Sequence, residues 1–245
     1  GGNWADGATI GAALAPLNLD LVGLQEDPSA DFNAAVASAA GFPYAYYGSH
    51  GEALLSKTVL VAPETVVLST GRTFVHAHTT IGGVDFSVYS AHLGWNVDGN
   101  RDCRELVDAF LATDPTPYKI VVGDFNDEHG SDQITILEEV LKDSWTTLGW
   151  YPGERVSWPS KRFDGSEGNQ LIDLIFTNAS AGAIVVAGDV VNLTPVPSDH
   201  KPVWAELLFA SDPGHPFTED PFADQRPPAH RFPPVGSRPP NLLAN

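Results

Sequence analysis

The sequence contains no methionine, a single cysteine, and only 13 basic residues set against 31 acidic ones. Each shortage narrows what the chain can be. One cysteine, Cys103, excludes an internal disulfide and leaves the redox compartment unmarked. A formal net charge of -18 repels polyanions at long range. Non-specific nucleic-acid binding works by releasing counterions from phosphates neutralised by Lys and Arg, and no basic cluster is present to do this. A tight duplex binder is therefore disfavoured. One phosphate seated by a local arginine and a divalent cation is not. No apolar run approaches the roughly 20 residues of a membrane-spanning helix, so no transmembrane segment is expected. No signal peptide is visible, and the chain opens on Gly1-Gly2 without an initiator methionine, which implies processing or an incomplete front.

What is present suffices for a sizeable core. A chain of 245 residues, 42% hydrophobic, makes one large α/β or all-β domain or two small ones. Helices are expected over 8–17, over 29–40 behind Pro28-Ser29, over 100–113 and over 132–141. Strands are expected over 20–24, 53–56, 58–61, 65–68 and 73–81. Gly82-Gly83 turns the last of these into 84–91, followed by 119–122, 171–176, 183–191 and 203–209. Hairpins mixed with crossovers predict a two-sheet sandwich covered by helices over residues 1–210. From residue 211 to 245 the chain turns proline-rich, with Pro227-Pro228, Pro233-Pro234 and Pro239-Pro240, and reads as an extended or disordered tail. The sequons Asn178-Ala179-Ser180 and Asn192-Leu193-Thr194 lean towards N-glycosylation and a secreted, extracellular protein.

Three strand ends deliver polar groups that a hydrolase would want. Leu21-Val22-Gly23 ends in Leu24-Gln25-Glu26, and Ile120-Val121-Val122 ends in Gly123-Asp124-Phe125-Asn126. Ser198-Asp199-His200-Lys201-Pro202-Val203 sets a carboxylate beside an imidazole where a loop feeds the last strand. His76 and His78 share one strand face without a third ligand at suitable spacing, so an exposed face is expected there rather than a metal site. His129 reads as a loop residue. Trp95, in the loop after His92, is placed to touch a substrate, and the other tryptophans read as core or rim packing.

Together with Ala53-Leu54-Leu55-Ser56, Ser90-Ala91-His92-Leu93 and Ile172-Asp173-Leu174-Ile175-Phe176, these motifs resemble the endonuclease/exonuclease/phosphatase superfamily, the DNase I-like fold, in the family's own order. The resemblance implies a four-layer α/β/β/α sandwich and Mg²⁺-dependent cleavage of a phosphoester bond, with Mn²⁺ or Ca²⁺ as substitutes. It further implies that Glu26 and Asp199 hold the cation and that Asp173 orients His200. It sets His92, held by Glu52, across the phosphate, and has Asp124 and Asn126 position the nucleophile. It leaves open whether His200 or Asp124 is the base. Arg72 and His50 are expected to reach the substrate.

One element of the pattern is missing. Family members begin with a strand bearing an Asn, and here Asn3-Trp4 is the sole upstream counterpart, with no strand-forming residues before it. A sheet short of its first strand is expected, the gap covered by the tail or by a partner chain. Two functions follow: a phosphoesterase, either nuclease or acting on a small molecule or lipid, or a catalytically reduced relative kept as a binding or structural module.

Overall fold

Alternating apolar side chains on β5 (Thr73–Ile81) and β6 (Val84–His92) set the middle of a six-stranded sheet, as their hairpin spacing predicts. In the computed structural model, which describes residues 5–149, 155–160, 168–178, 183–193 and 198–210, this sheet has the order β4-β5-β6-β7-β9-β8. The other members are β4 (Val61–Val67), β7 (Tyr118–Asp124), β8 (Leu141–Asp143) and β9 (Asp173–Asn178). Among the described residues only β6 and β7 pair in parallel, and their crossover is α3 (Asn96–Glu105) with its continuation over Leu106–Leu111. Among the described residues the second layer is divided. β1 (Leu21–Leu24), β3 (Ala53–Ser56) and β2 (Tyr44–Tyr47) form one piece; β10 (Ala183–Val190) and β11 (Val203–Phe209) form the other.

Three apolar zones make four layers. Leu54, Val75, Phe86, Val88, Tyr118 and Ile120 pack between the sheets, with Leu207 and Phe209 against them. Leu106 and Leu137, from α3's continuation and α4 (Asp132–Glu138), and Trp145 of the short α5 (Ser144–Thr147), cover the other face of the large sheet. Val36 and Leu14, from α2 (Ala30–Ala40) and α1 (Gly7–Leu14), cover β1 and β3. Complete burial of each large side chain stabilises the fold by about 1.5–3 kcal/mol. The architecture is the predicted DNase I-like sandwich.

Local boundaries shift for physical reasons. The two strands expected over 58–61 and 65–68 are one, β4, because an irregularity between Val61 and Glu64 interrupts its register with β5. The helix expected over 100–113 starts earlier, at Asn96, and its last turns, Leu106–Leu111, are π-helical. The helix expected over 132–141 stops at Glu138, and Leu141–Asp143 pairs with β9 instead. The strand β2 was not anticipated; its tyrosines are half exposed and carry little alternation. His76 and His78 are half-buried, not exposed. The His76 ring stacks on Tyr89 at 4.5 Å, and His78 Nδ1 lies 3.0 Å from Ser87 Oγ.

Between β1 and β11 lies a groove of about 740 Å³, lined by Leu14, Val22, Phe86, Val122, Val203 and Leu207, with the ladder partners of both strands only on their far sides. A gap in the sheet was expected, and among the described residues this groove separates β1 from β11. The proline-rich segment proposed to cover it, like Asn3 and Trp4, lies outside the described residues. An unpaired strand edge leaves backbone donors and acceptors to water. In hydrogen–deuterium exchange, the amides of β1 and β11 that face the groove are expected to exchange well ahead of those of β6 and β7, which are paired on both sides. Equal protection would show that the groove is filled by a paired strand.

Candidate active site

Gly23 lets β1 lie tight across the large sheet, since a Cβ there would sit 2.4 Å from Val122 Cγ2 and 2.7 Å from Ser90 Oγ. Gln25 Nε2 donates to Ser90 Oγ at 2.8 Å and fixes the same crossing. The chain then turns at Glu26, whose φ of 53° is left-handed; Asn126 has φ 54°. Such backbone in residues other than glycine costs of order 1–3 kcal/mol and clusters at functional sites. Asn tolerates it better than Glu, so Glu26 is the more telling. Both residues carry a site motif.

Asp124, at the end of β7, sits opposite His92 in the parallel register and opposite Asp173 in the antiparallel one. Its Oδ2 lies 3.6 Å from His92 Nε2 and 3.8 Å from His200 Nε2. His200 reaches in from the loop before β11, and its Nδ1 meets Asp173 Oδ2 at 2.9 Å. Asn126 N donates to Asp124 Oδ1 at 2.8 Å, and Asn126 Nδ2 to Leu93 O at 2.9 Å. Asp124, Asp173 and His92 are buried, and His200 is half-buried.

Electrostatics separate the groups. Burial, then repulsion from Asp173 and Glu26, pushes the Asp124 carboxyl up to about 7, although His200 opposes this. Burial disfavours the charged form of His200, yet the hydrogen bond and attraction of Asp173, with Asp124 and Asp199, outweigh it and raise the ring to about 9. His92 goes the other way, down to about 4, through burial, Arg72 and His200. Arg72 Nη1 donates to His92 Nε2 at 3.0 Å, which makes that nitrogen an acceptor and sets the proton on Nδ1.

The remaining expected site residues divide. Glu26 is exposed at the rim and, with Asp173, Ser198 and His200, lines the site end of the groove. Asp199 is exposed beside His200, and its backbone oxygen accepts from Ser160 N at 2.6 Å. Glu52 does not hold His92: its carboxylate takes the Thr73 hydroxyl, and Thr73 is the ladder partner of His92, so any influence passes through the strand pair. Burial pushes Glu52 up to about 7 despite the Thr73 bond and Arg72. His50 is exposed, with its Nδ1 at 3.1 Å from Ser49 Oγ, and it joins none of the other site groups. The Arg72 guanidinium lies 5.5 Å over the Trp95 ring. Those two, with Thr70, Gly71, Gly94 and Asp98, line a recess of about 310 Å³.

Three buried residues that hold the site escaped the sequence reading. Ser157 Oγ accepts from Ile172 N and Asp173 N at 3.1 and 3.2 Å, while Ser157 O takes Lys201 N at 2.8 Å. It thus ties Asp173 to the loop of His200. Asp102 accepts Gly94 N at 2.8 Å and the Thr70 hydroxyl, joining the Arg72 and Trp95 loops. Gln133 Nε2 donates to Gly94 O and Phe125 O, joining the loops after β6 and β7. A polar residue at an inward-facing helix position was the available signal for Asp102 and Gln133. For Ser157 there was none.

The Endonuclease/Exonuclease/phosphatase family model matches residues 3–200. The chain belongs to that family. The match begins at Asn3, the upstream Asn picked out in the sequence. No curated protein matches this family member significantly in sequence. Solved structures resemble it throughout the fold. Truncated TDP2 of Caenorhabditis elegans is 18% identical, with TM-score 0.64 over 83% of this chain and 91% of that one. The mannosyl-6-phosphatase of Bacteroides thetaiotaomicron is 18% identical, with TM-score 0.67 over 83% and 90%. TDP2 of D. rerio, solved with a single-strand DNA product, is 15% identical, with TM-score 0.65 over 82% and 92%.

Gln133→Ala removes the one amide that serves two loop carbonyls in a buried place. It is expected to cost about 1–3 kcal/mol of stability in urea unfolding, with the slope unchanged. A loss below about 0.5 kcal/mol would mean that the loops are held by other contacts.

Proposed function

We propose that this family member is a divalent-cation-dependent phosphoesterase, cleaving a phosphodiester or phosphomonoester bond at the rim where Glu26, Asp124, Asp173 and His200 converge. The observation that carries this reading is Asp124 standing between two imidazoles, one of them braced by Asp173 at 2.9 Å. Mannosyl-6-phosphatase, whose name refers to a phosphoester, and D. rerio TDP2, solved with a single-strand DNA product, support it by analogy of fold.

The donor set fits a hard cation. Carboxylate oxygens suit Mg²⁺, and Mn²⁺ or Ca²⁺ could substitute. Repulsion among Asp124, Asp173 and Glu26 is the strain that a positive charge would relieve. Glu26, which lines the groove with His200, and Asp199, exposed next to His200 in the chain, are the residues that would hold it. When bound, the cation supplies charge stabilisation at the phosphoryl oxygens.

The protein's own groups do the rest. The 3.8 Å between His200 Nε2 and Asp124 Oδ2 is too long for a direct hydrogen bond and suits a water that touches both. That water attacks phosphorus while the bond to the leaving oxygen breaks; its proton passes to whichever of the two atoms is unprotonated, and the leaving oxygen departs with the bonding pair and takes a proton from solvent. Asp173 keeps the His200 ring oriented through Nδ1 and supports its positive form. His92, neutral and accepting from Arg72, aims the guanidinium at a phosphate oxygen rather than acting as an acid. Asn126, anchored on Leu93 O, keeps its side-chain oxygen turned to the site.

A small phosphoester suits the surface best. The net charge of -18 repels long polyanions, whereas the recess beside Arg72 and the exposed Trp95 face can take a sugar or a single base. A nuclease is the rival substrate class. A catalytically reduced binding module is the second reading, favoured only by the groove next to Glu26.

The test is turnover of bis(p-nitrophenyl) phosphate and p-nitrophenyl phosphate in Mg²⁺ and in EDTA. Turnover should vanish in EDTA and fall about 10²–10⁴-fold in His200→Ala. Undiminished activity in that variant, or in EDTA, would overturn the reading. The kcat/KM of the favoured small substrate should hardly change between low and high salt, while a steep fall would indicate a polyanion.

A secreted location is the accompanying proposal, with Asn192 as the sugar acceptor. Asn192 is exposed, whereas the Asn178 side chain accepts Lys119 N and donates to Pro117 O at 3.0 Å. Expression through a glycosylating secretory pathway should add one glycan, lost in Asn192→Gln. An unmodified intact mass would count against it.

A further inference from the structure

A second group of metal-type ligands lies away from the proposed phosphoester site. His129 comes from the loop after β7, Glu138 ends α4, and Asp143 ends β8. His129 Nδ1 is 3.1 Å from Glu138 Oε1 and 3.5 Å from Asp143 Oδ2, and the three ligand atoms lie within 4.8 Å of one another. Ligands at about 2.0–2.2 Å from a zinc ion stand roughly 3–3.5 Å apart along the edges of its coordination polyhedron. The two separations measured from His129 match that edge length.

The decisive group is Asp143. Its side chain is fully buried, one oxygen accepts Trp145 N at 2.9 Å, and the other, Oδ2, accepts no hydrogen bond while facing the cluster. A buried carboxylate oxygen left this way is costly unless a positive charge answers it. His129 and Glu138 keep 17% and 28% of their side chains exposed, which leaves a route in for an ion and room for its waters. Two carboxylates against one imidazole leave negative charge to be neutralised. The nitrogen donor selects against Mg²⁺ and Ca²⁺, which prefer all-oxygen shells, and towards Zn²⁺.

We propose that His129, Glu138 and Asp143 form a Zn²⁺ site that pins the loop carrying Asn126 to α4 and β8. The site is separate from the Glu26–Asp199 rim. Asp143 pairs with Phe176, three residues along β9 from Asp173, which is about 10 Å of strand. Its influence on the phosphoester site is through position. The loop also carries Glu128, whose Oε1 accepts Leu171 N at 3.1 Å just before β9. Ordering His129 therefore steadies the segment between Asp124 and Gly130 at both ends. The site stands on its own geometry and does not depend on the phosphoesterase reading.

The test uses the full chain, stripped with chelator, with Glu26→Gln and Asp199→Asn introduced to silence the rim. Titration with ZnCl₂ alone, followed by calorimetry, should show one saturable equivalent and a rise in Tm. Adding Glu138→Gln, a near-isosteric change at a partly exposed position, should weaken Zn²⁺ binding at least roughly tenfold. His129→Ala should do the same, and crystals grown with Zn²⁺ should show anomalous scattering between the three residues. Absence of saturable binding in the rim-silenced protein, or equal affinity with and without Glu138→Gln, would overturn the proposal and leave the group as an ion pair around a charged imidazole.

Discussion

The hydrogen bond between Asp173 and His200 holds the whole arrangement together, because its two ends belong to different layers. Asp173 opens β9 in the six-stranded sheet, and His200 precedes β11 in the divided one. The bond can form only if the two sheets pack with their site ends level. The apolar zone of Leu54, Phe86, Val88 and Tyr118 between them provides that alignment. Ser157, bonded both to Asp173 and to the residue after His200, fixes the same junction from the side. Packing and chemistry are thus one constraint.

Around this bond the fold gathers more negative charge than it neutralises. Asp124 and Asp173 are buried within one ladder pair, with Glu26 near enough to repel Asp124. Glu26 is also held in a left-handed conformation. These features cost stability, and nothing in the packing requires them. They make sense as preorganisation for a positive charge, since a site that already faces the ligand need not reorganise to bind it. The imidazoles show the same division of labour: identical side chains about one carboxylate, one driven towards the cation by Asp173 and the other kept neutral beside Arg72.

How legible this was depended on the residue. Glu26, Asp124 and Asn126 stood out because each follows an apolar strand abruptly, and His200 because an Asp-His pair stands just before one. Asp173 stood inside such a strand motif and was found with them. Glu52 was misassigned in its contact, because the sequence shows which residues are polar and not which of two neighbours on paired strands a carboxylate will meet. His129 passed as a loop residue because its partners, Glu138 and Asp143, arrive from a helix end and from an edge strand that the sequence did not announce. Asp102 and Gln133 looked like ordinary polar positions on helices.

By itself, the order of residues determined the elements, their alternation, the family's motif order and the excess of acid, because these rest on local periodicity and on composition. Only the tertiary structure decided which polar groups would meet. Whether Glu52 touches Thr73 or His92, whether His92 accepts or donates, and how wide the opening between β1 and β11 would be all depend on sheet register and layer packing. Those are set by contacts between segments tens of residues apart, and the burial that moves each ionisation exists only once the layers have closed.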